Sequence, residues 1–169
     1  FTPTRRHFGA CDRHDGASSW DPSLLTDLCW RSLSHIQEQK MNNTERLKTC
    51  LQRVICDPGF TLAELDTWFS PDYCQQVNGE TLDYAAFRQH IAALRGHLAE
   101  AAIEFVATLE LGERVHSTHL VRATRQDGGT LTCKVSGLFT FRDGRLCHTE
   151  EVTCLLAGGK EDADIGSRR

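Results

Sequence analysis

The chain has 169 residues, of which 40% are hydrophobic and 25% charged, with a net charge of −4. That is enough length for one domain with a sizeable core. No apolar run reaches membrane-spanning length and no basic stripe stands out, so neither a membrane helix nor a nucleic-acid partner is expected. The 8 cysteines lack any Cys-x-x-Cys spacing, which argues against structural zinc. No secretory signal precedes them, and buried reduced thiols in a cytoplasmic protein are the expectation.

Residues 1–40 differ from the rest. The only methionine is Met41, and Asn42-Asn43-Thr44-Glu45 after it reads as a protein start running into a helix cap. Gln37-Glu38-Gln39-Lys40 admits a coding stretch that resembles a bacterial ribosome-binding site just ahead of Met41. Residues 1–40 are therefore expected to be an N-terminal extension, upstream read-through or a fragment of a longer frame, removable without change in melting temperature. Against this, Asp21-Pro22 is a good cap and first-turn pair, and Leu24, Leu25, Leu28, Leu33 and Ile36 predict a helix over 22–40.

From Thr44 the spacing predicts a helix to about Cys56, stopped by Asp57-Pro58-Gly59. A short helix over 62–69 and the turn Ser70-Pro71-Asp72 lead to a strand over 73–77 that ends at Asn78-Gly79. Asp83 caps a third helix carrying Phe87, Ile91, Leu94 and Leu98. From Ala101 the period switches to two. Strands are expected from Ala101 to Leu111, from Val115 to Ala123, from Leu131 to Phe141 and from Leu146 to Leu156. Gly112-Glu113-Arg114 and Asp127-Gly128-Gly129 are expected as three-residue loops, and Asp143-Gly144 as a two-residue hairpin turn.

Counting outward from that turn pairs Arg142 with Arg145, Phe141 with Leu146, Phe139 with His148, Gly137 with Glu150, Val135 with Val152 and Cys133 with Cys154. The Cys133–Cys154 pair is the one disulfide worth checking. The face so defined is apolar except for His148 and Glu150, and Glu150 lies opposite a residue with no side chain. A carboxylate on a buried face beside a gap predicts a pocket. Extending the count puts Ala107, His119, Gly137 and Glu150 in one row. His119 and Glu150 are then on the order of 10 Å apart at the backbone. Glu151 falls on the opposite face.

The order helix, helix, short strand, helix, four long strands, with Trp68-Phe69-Ser70-Pro71-Asp72-Tyr73 and Phe139-Thr140-Phe141-Arg142-Asp143-Gly144-Arg145-Leu146, resembles the SnoaL-like group of the nuclear transport factor 2-like superfamily. The resemblance covers Thr44 to about Leu156. It implies an α+β, cone-shaped half-barrel: a curved, mostly antiparallel sheet wrapped on N-terminal helices, with a pocket in the cone. The domain is expected over 41–157, followed by a polar C-terminal tail over 158–169. Members of the group include isomerases, cyclases and hydrolases, and also non-enzymatic binding and dimerisation modules.

A small-molecule pocket protein is therefore expected, with acid/base chemistry on an apolar small molecule or, alternatively, a non-catalytic ligand-binding or dimerisation role. Glu150 is the expected proton acceptor, with His119 orienting or charge-balancing it. Tyr73, Tyr84 and Gln76 are expected as donors at the mouth. Gly137, His148, Trp68, Phe105, Val135 and Phe139 complete the expected lining. No metal or cofactor is expected. A homodimer is expected through the outer sheet face, where Val106, Leu120, Leu138 and Leu155 sit among polar residues.

Overall fold

The computed structural model describes residues 42–169. The expectations for residues 1–40, including the helix over 22–40, lie outside the described residues. Helix α1 (Asn43–Leu51) is capped by Asn42, whose side chain accepts from the Thr44 amide. It runs on as one π-turn, Gln52–Cys56, and Leu47, Cys50 and Val54 are its buried positions. A 3₁₀ turn, Leu62–Glu64, opened by a Thr61/Glu64 capping box, leads into the short helix α2 (Leu65–Trp68). Strands β1 (Phe69–Val77) and β2 (Glu80–Asp83) form a hairpin. Helix α3 (Tyr84–His97) follows, with the Asp83 carboxylate accepting from the Ala86 amide.

Four long strands complete the sheet: β3 (Leu98–Leu111), β4 (Arg114–Arg125), β5 (Thr130–Arg142) and β6 (Arg145–Ala157). The strand order is β2-β1-β6-β5-β4-β3. Only the β1–β6 pairing is parallel. The result is the expected α+β architecture, with a mixed, open six-stranded sheet and the N-terminal helices on one face.

Both two-residue turns that join strands through an Asx-Gly pair have positive φ at both positions. Asn78 and Asp143 stand at 51°, Gly79 at 86° and Gly144 at 76°. The Asp143-Gly144 turn pairs Arg142 with Arg145 and Phe141 with Leu146, as counted from the sequence. Its tip is tied to α1 by Arg46, which donates to the Gly144 carbonyl at 3.2 Å.

Three registers differ from expectation. Leu111 pairs with Arg114, so β3 and β4 are joined by the two residues Gly112-Glu113 rather than three. A bulge at Val106 then restores the phase: Phe105 faces His119, and Ala107 faces Thr118. His119 in turn faces Val135, and Ser117 faces Gly137. The third difference, in β6, decides the site.

Candidate functional site

On β6, Leu146 faces Phe141 but His148 faces Thr140, so Cys147 is an extra residue on its strand. A bulge of this kind reverses the facing of every residue beyond it. Thr149, Glu151, Thr153 and Leu155 point to the helix-covered face. His148, Glu150, Val152, Cys154 and Leu156 point away from it. The neighbouring strand explains the break. Between the β1–β6 pairs Phe69–Leu146 and Cys74–His148, strand β1 spends Ser70-Pro71-Asp72-Tyr73 against the single residue Cys147. Pro71 has no amide hydrogen to give a ladder.

The carboxylate opposite Gly137 is therefore Glu151, not Glu150. Glu150 is exposed on the outer face, and His148 is on that face with it. Gln76 pairs with Glu150 and is also exposed; the glutamine that turns inward is Gln75, which is 4% exposed. Cys133 and Cys154 lie on opposite faces with free thiols, so the cross-strand disulfide does not form.

Between the sheet and helices α1 and α3 lies a cavity of about 100 Å³. Glu151 lines it, and the Gln75 amide nitrogen donates to its Oε1 at 2.9 Å. Glu151 is partly buried, and the protein packed around it strips its water. Burial pushes its pKa up to about 7, against a smaller downward pull from the Gln75 hydrogen bond. Gly137 makes this packing possible. A Cβ there would lie 2.8 Å from the Glu151 Cβ and 3.2 Å from the Glu150 carbonyl.

His119 also lines the cavity and is 3% exposed. Its Nδ1 lies 3.1 Å from Ser117 Oγ, and its ring packs on Phe105 at 5.5 Å between centroids. Burial lowers its pKa to about 4, so the imidazole is neutral at pH 7. The expected charge balance by a cationic His119 is thus replaced by a neutral amide contact from Gln75. His90, on α3, also faces the cavity. Its Nδ1–H donates to the Arg168 carbonyl at 2.8 Å, and burial lowers its pKa.

Tyr73, Val135 and Phe139 line the cavity. Tyr73 packs with Phe69 and Phe87, all centroids within 4.8 Å, and donates to Thr149 Oγ1 at 2.9 Å. Burial raises its pKa well above the usual phenol range. Trp68, Tyr84 and Phe105 do not line the cavity. The Tyr84 hydroxyl donates to the exposed Asp66 carboxylate, and Trp68 packs against the main core.

The last residues close the cavity rather than trail away. Ile165 and Gly166 line it, and Ile165 packs with Leu94, Leu98, Leu131 and Cys133. Asp162 is fully buried and anchors the segment: it accepts from the Gly159 amide at 2.9 Å, Arg125 Nη1 at 2.9 Å and His97 Nε2 at 3.2 Å. Burial alone would raise its pKa, but these three partners hold it below the usual range. The polar C-terminal tail expected over 158–169 thus packs against the cavity through Ile165 and Gly166.

No protein-family model matches the chain. It is 32% identical over 117 residues to an uncharacterized protein of Schizosaccharomyces pombe, covering 69% of this chain and 90% of that one. Among solved structures it matches a candidate polyketide cyclase of Acidithiobacillus ferrooxidans with a TM-score of 0.57 and 17% identity, over 73% of this chain and 92% of that one. A candidate SnoaL-like polyketide cyclase of Jannaschia gives 0.54 at 15% identity, over 74% and 94%. The chain shares the fold of these SnoaL-like, nuclear transport factor 2-like structures. A third match, a ketosteroid isomerase-like protein of Catenulispora acidiphila solved with trimethylamine, gives 0.52 at 12% identity, over 63% and 83%.

A single carboxyl group, with its pKa raised by burial to about 7, faces a mostly apolar cavity. At neutral pH it can take or give a proton. Among the described residues no cluster of three or more His, Cys, Asp or Glu side chains is placed to hold a metal ion. None of the described helices is long and apolar enough to cross a membrane.

Proposed function

We propose that the cavity binds a small, apolar molecule and that Glu151 exchanges a proton with it. The observation that carries this reading is the partly buried Glu151 carboxyl, held by Gln75 at the wall of the cavity, where burial raises its pKa to about 7. The best general base or acid has a pKa near the working pH. His119, neutral at pH 7, contributes shape and hydrogen bonding rather than charge. The six free thiols among the described residues support a reducing, cytoplasmic setting. Exposed Val106, Leu109, Leu111, Val152 and Leu156 support a homodimer through the outer face.

The test is deuterium exchange at the α-carbons of a small cyclic ketone such as cyclohexanone, followed by NMR in heavy water. Abstraction of an α-proton by the Glu151 carboxylate leaves an enolate, which takes a deuteron back from the carboxyl group after exchange with solvent. Exchange faster with the wild type than with Glu151→Gln is the expected result. Equal rates would favour the second reading, a ligand-binding or dimerisation module. The small cavity, below the roughly 300–1,000 Å³ of typical ligand clefts, speaks for that alternative.

A further inference from the structure

Gln75 is buried to 4% exposure in the cavity wall, yet only half of its amide is used. Its nitrogen donates to Glu151, while its carbonyl oxygen Oε1 is shielded from solvent and has no hydrogen-bond partner. Thr153 Oγ1, two residues from Glu151 on the same strand face, is likewise buried without a partner and also belongs to the lining. A buried acceptor left unpaired is costly, and such groups in a folded protein are normally satisfied by something. An amide carbonyl can only accept, so whatever satisfies it must donate.

The wall also restricts charge. Among the described residues no lysine or arginine lines the cavity. Its two histidines, His90 and His119, are both shifted toward the neutral form by burial. An anionic ligand would meet the Glu151 carboxyl with nothing to balance it.

We propose that the natural ligand is a compact, uncharged molecule with an apolar body and one hydroxyl or N–H group, which donates to Gln75 Oε1. Gln75 is then a specificity-determining and positioning residue. It fixes Glu151 through its nitrogen and reads the ligand's donor through its oxygen, so the donor group sits beside the Glu151 carboxyl. Thr153 Oγ1 offers the second contact to the same polar group. This rests on the cavity being a ligand site, as proposed above.

Phenol and toluene are near-isosteric and differ in the donor, and benzoate carries an anionic carboxylate on the same ring. Their binding to the full chain is measured at pH 7 by chemical-shift titration of the Gly137 and Glu151 amides. The expected result is phenol tighter than toluene by about tenfold, with benzoate showing no saturable shift. In Gln75→Leu the preference for phenol should vanish while toluene still binds. Toluene equal to phenol in the wild type would overturn the donor requirement and leave the pocket reading standing. Benzoate as the tightest probe would overturn the exclusion of anions. A folded Gln75→Leu that keeps the phenol preference would overturn the assignment to Gln75. If Gln75→Leu does not fold, the Gln75 side-chain amide of the wild type is followed instead, and the absence of a phenol-induced shift there would overturn the assignment. Failure of all three probes to bind would overturn both this inference and the proposed function.

Discussion

Glu151 carries the chemistry and also sets a pH dependence of stability. Its pKa rises from 4.5 in the unfolded chain to about 7 in the fold, so the folded state binds the proton more tightly. The associated stability is fully present below about pH 4.5 and is lost as pH rises through 7, a change on the order of 3 kcal/mol. His119 runs the other way: with its pKa lowered from 6.5 to about 4, its contribution is lost as pH falls through that range. Glu151→Gln removes the first effect alone. Denaturant unfolding should find it more stable than wild type at pH 8, by up to about 3 kcal/mol, with the two converging near pH 4.5. Glu150→Gln, on the exposed face, should follow the wild type within about 0.5 kcal/mol at both. That a carboxylate would stand opposite Gly137 was legible, because alternation and the Asp143-Gly144 turn point to it. Which carboxylate was not, because Leu146, His148, Glu150 and Val152 make as good an inward-facing set as Thr149, Glu151 and Thr153.

At the scale of elements, the decision between those two sets belongs to a neighbour distant in sequence. The hairpin turn, the two Asx helix caps and the long strands are local events, driven by φ preferences and side-chain hydrogen bonds to the next few amides, and the sequence shows them. The Cys147 bulge is not local. It answers the irregular stretch Ser70-Pro71-Asp72 of β1, which lies alongside β6 only once the sheet has assembled. The same displacement brings Gln75 inward in place of Gln76. Gly137 is the position where β5 accommodates the outcome. Gly137→Ala would push a Cβ to within 2.8 Å of the Glu151 Cβ, and both atoms sit on backbone-fixed positions. The strands must part, and thermal or denaturant unfolding should show a loss of about 1–3 kcal/mol. Wild-type stability in that variant would mean that Glu151 does not pack over Gly137.

For the whole molecule, the bulge has a second consequence, on the side away from the cavity. It turns Val152 and Leu156 outward, 63% and 55% exposed; Val106 and Leu109, on β3 beyond the two intervening strands, are 57% and 73% exposed. Leu155, expected there, instead packs inward against the cluster that holds Ile165. If this outer face is the proposed dimer surface, sedimentation should give a dimer for the wild type and a monomer for Val152→Glu; a wild-type monomer at high concentration would contradict it. The C-terminal cap was hidden for a different reason. Lys160-Glu161-Asp162-Ala163-Asp164 is polar in composition, but Asp162 is paired with Arg125 and accepts hydrogen bonds from His97 and the Gly159 amide, and Ile165 supplies the apolar anchor. Sheet, bulge and cap converge on one carboxyl group, so the most direct test is to titrate it. Carbon-13 NMR of glutamate side-chain carboxyls, with Glu151→Gln to assign the resonance, should give a midpoint near 7 for Glu151. A midpoint at the ordinary value of about 4.3 would show a hydrated carboxylate and contradict its burial in the cavity wall.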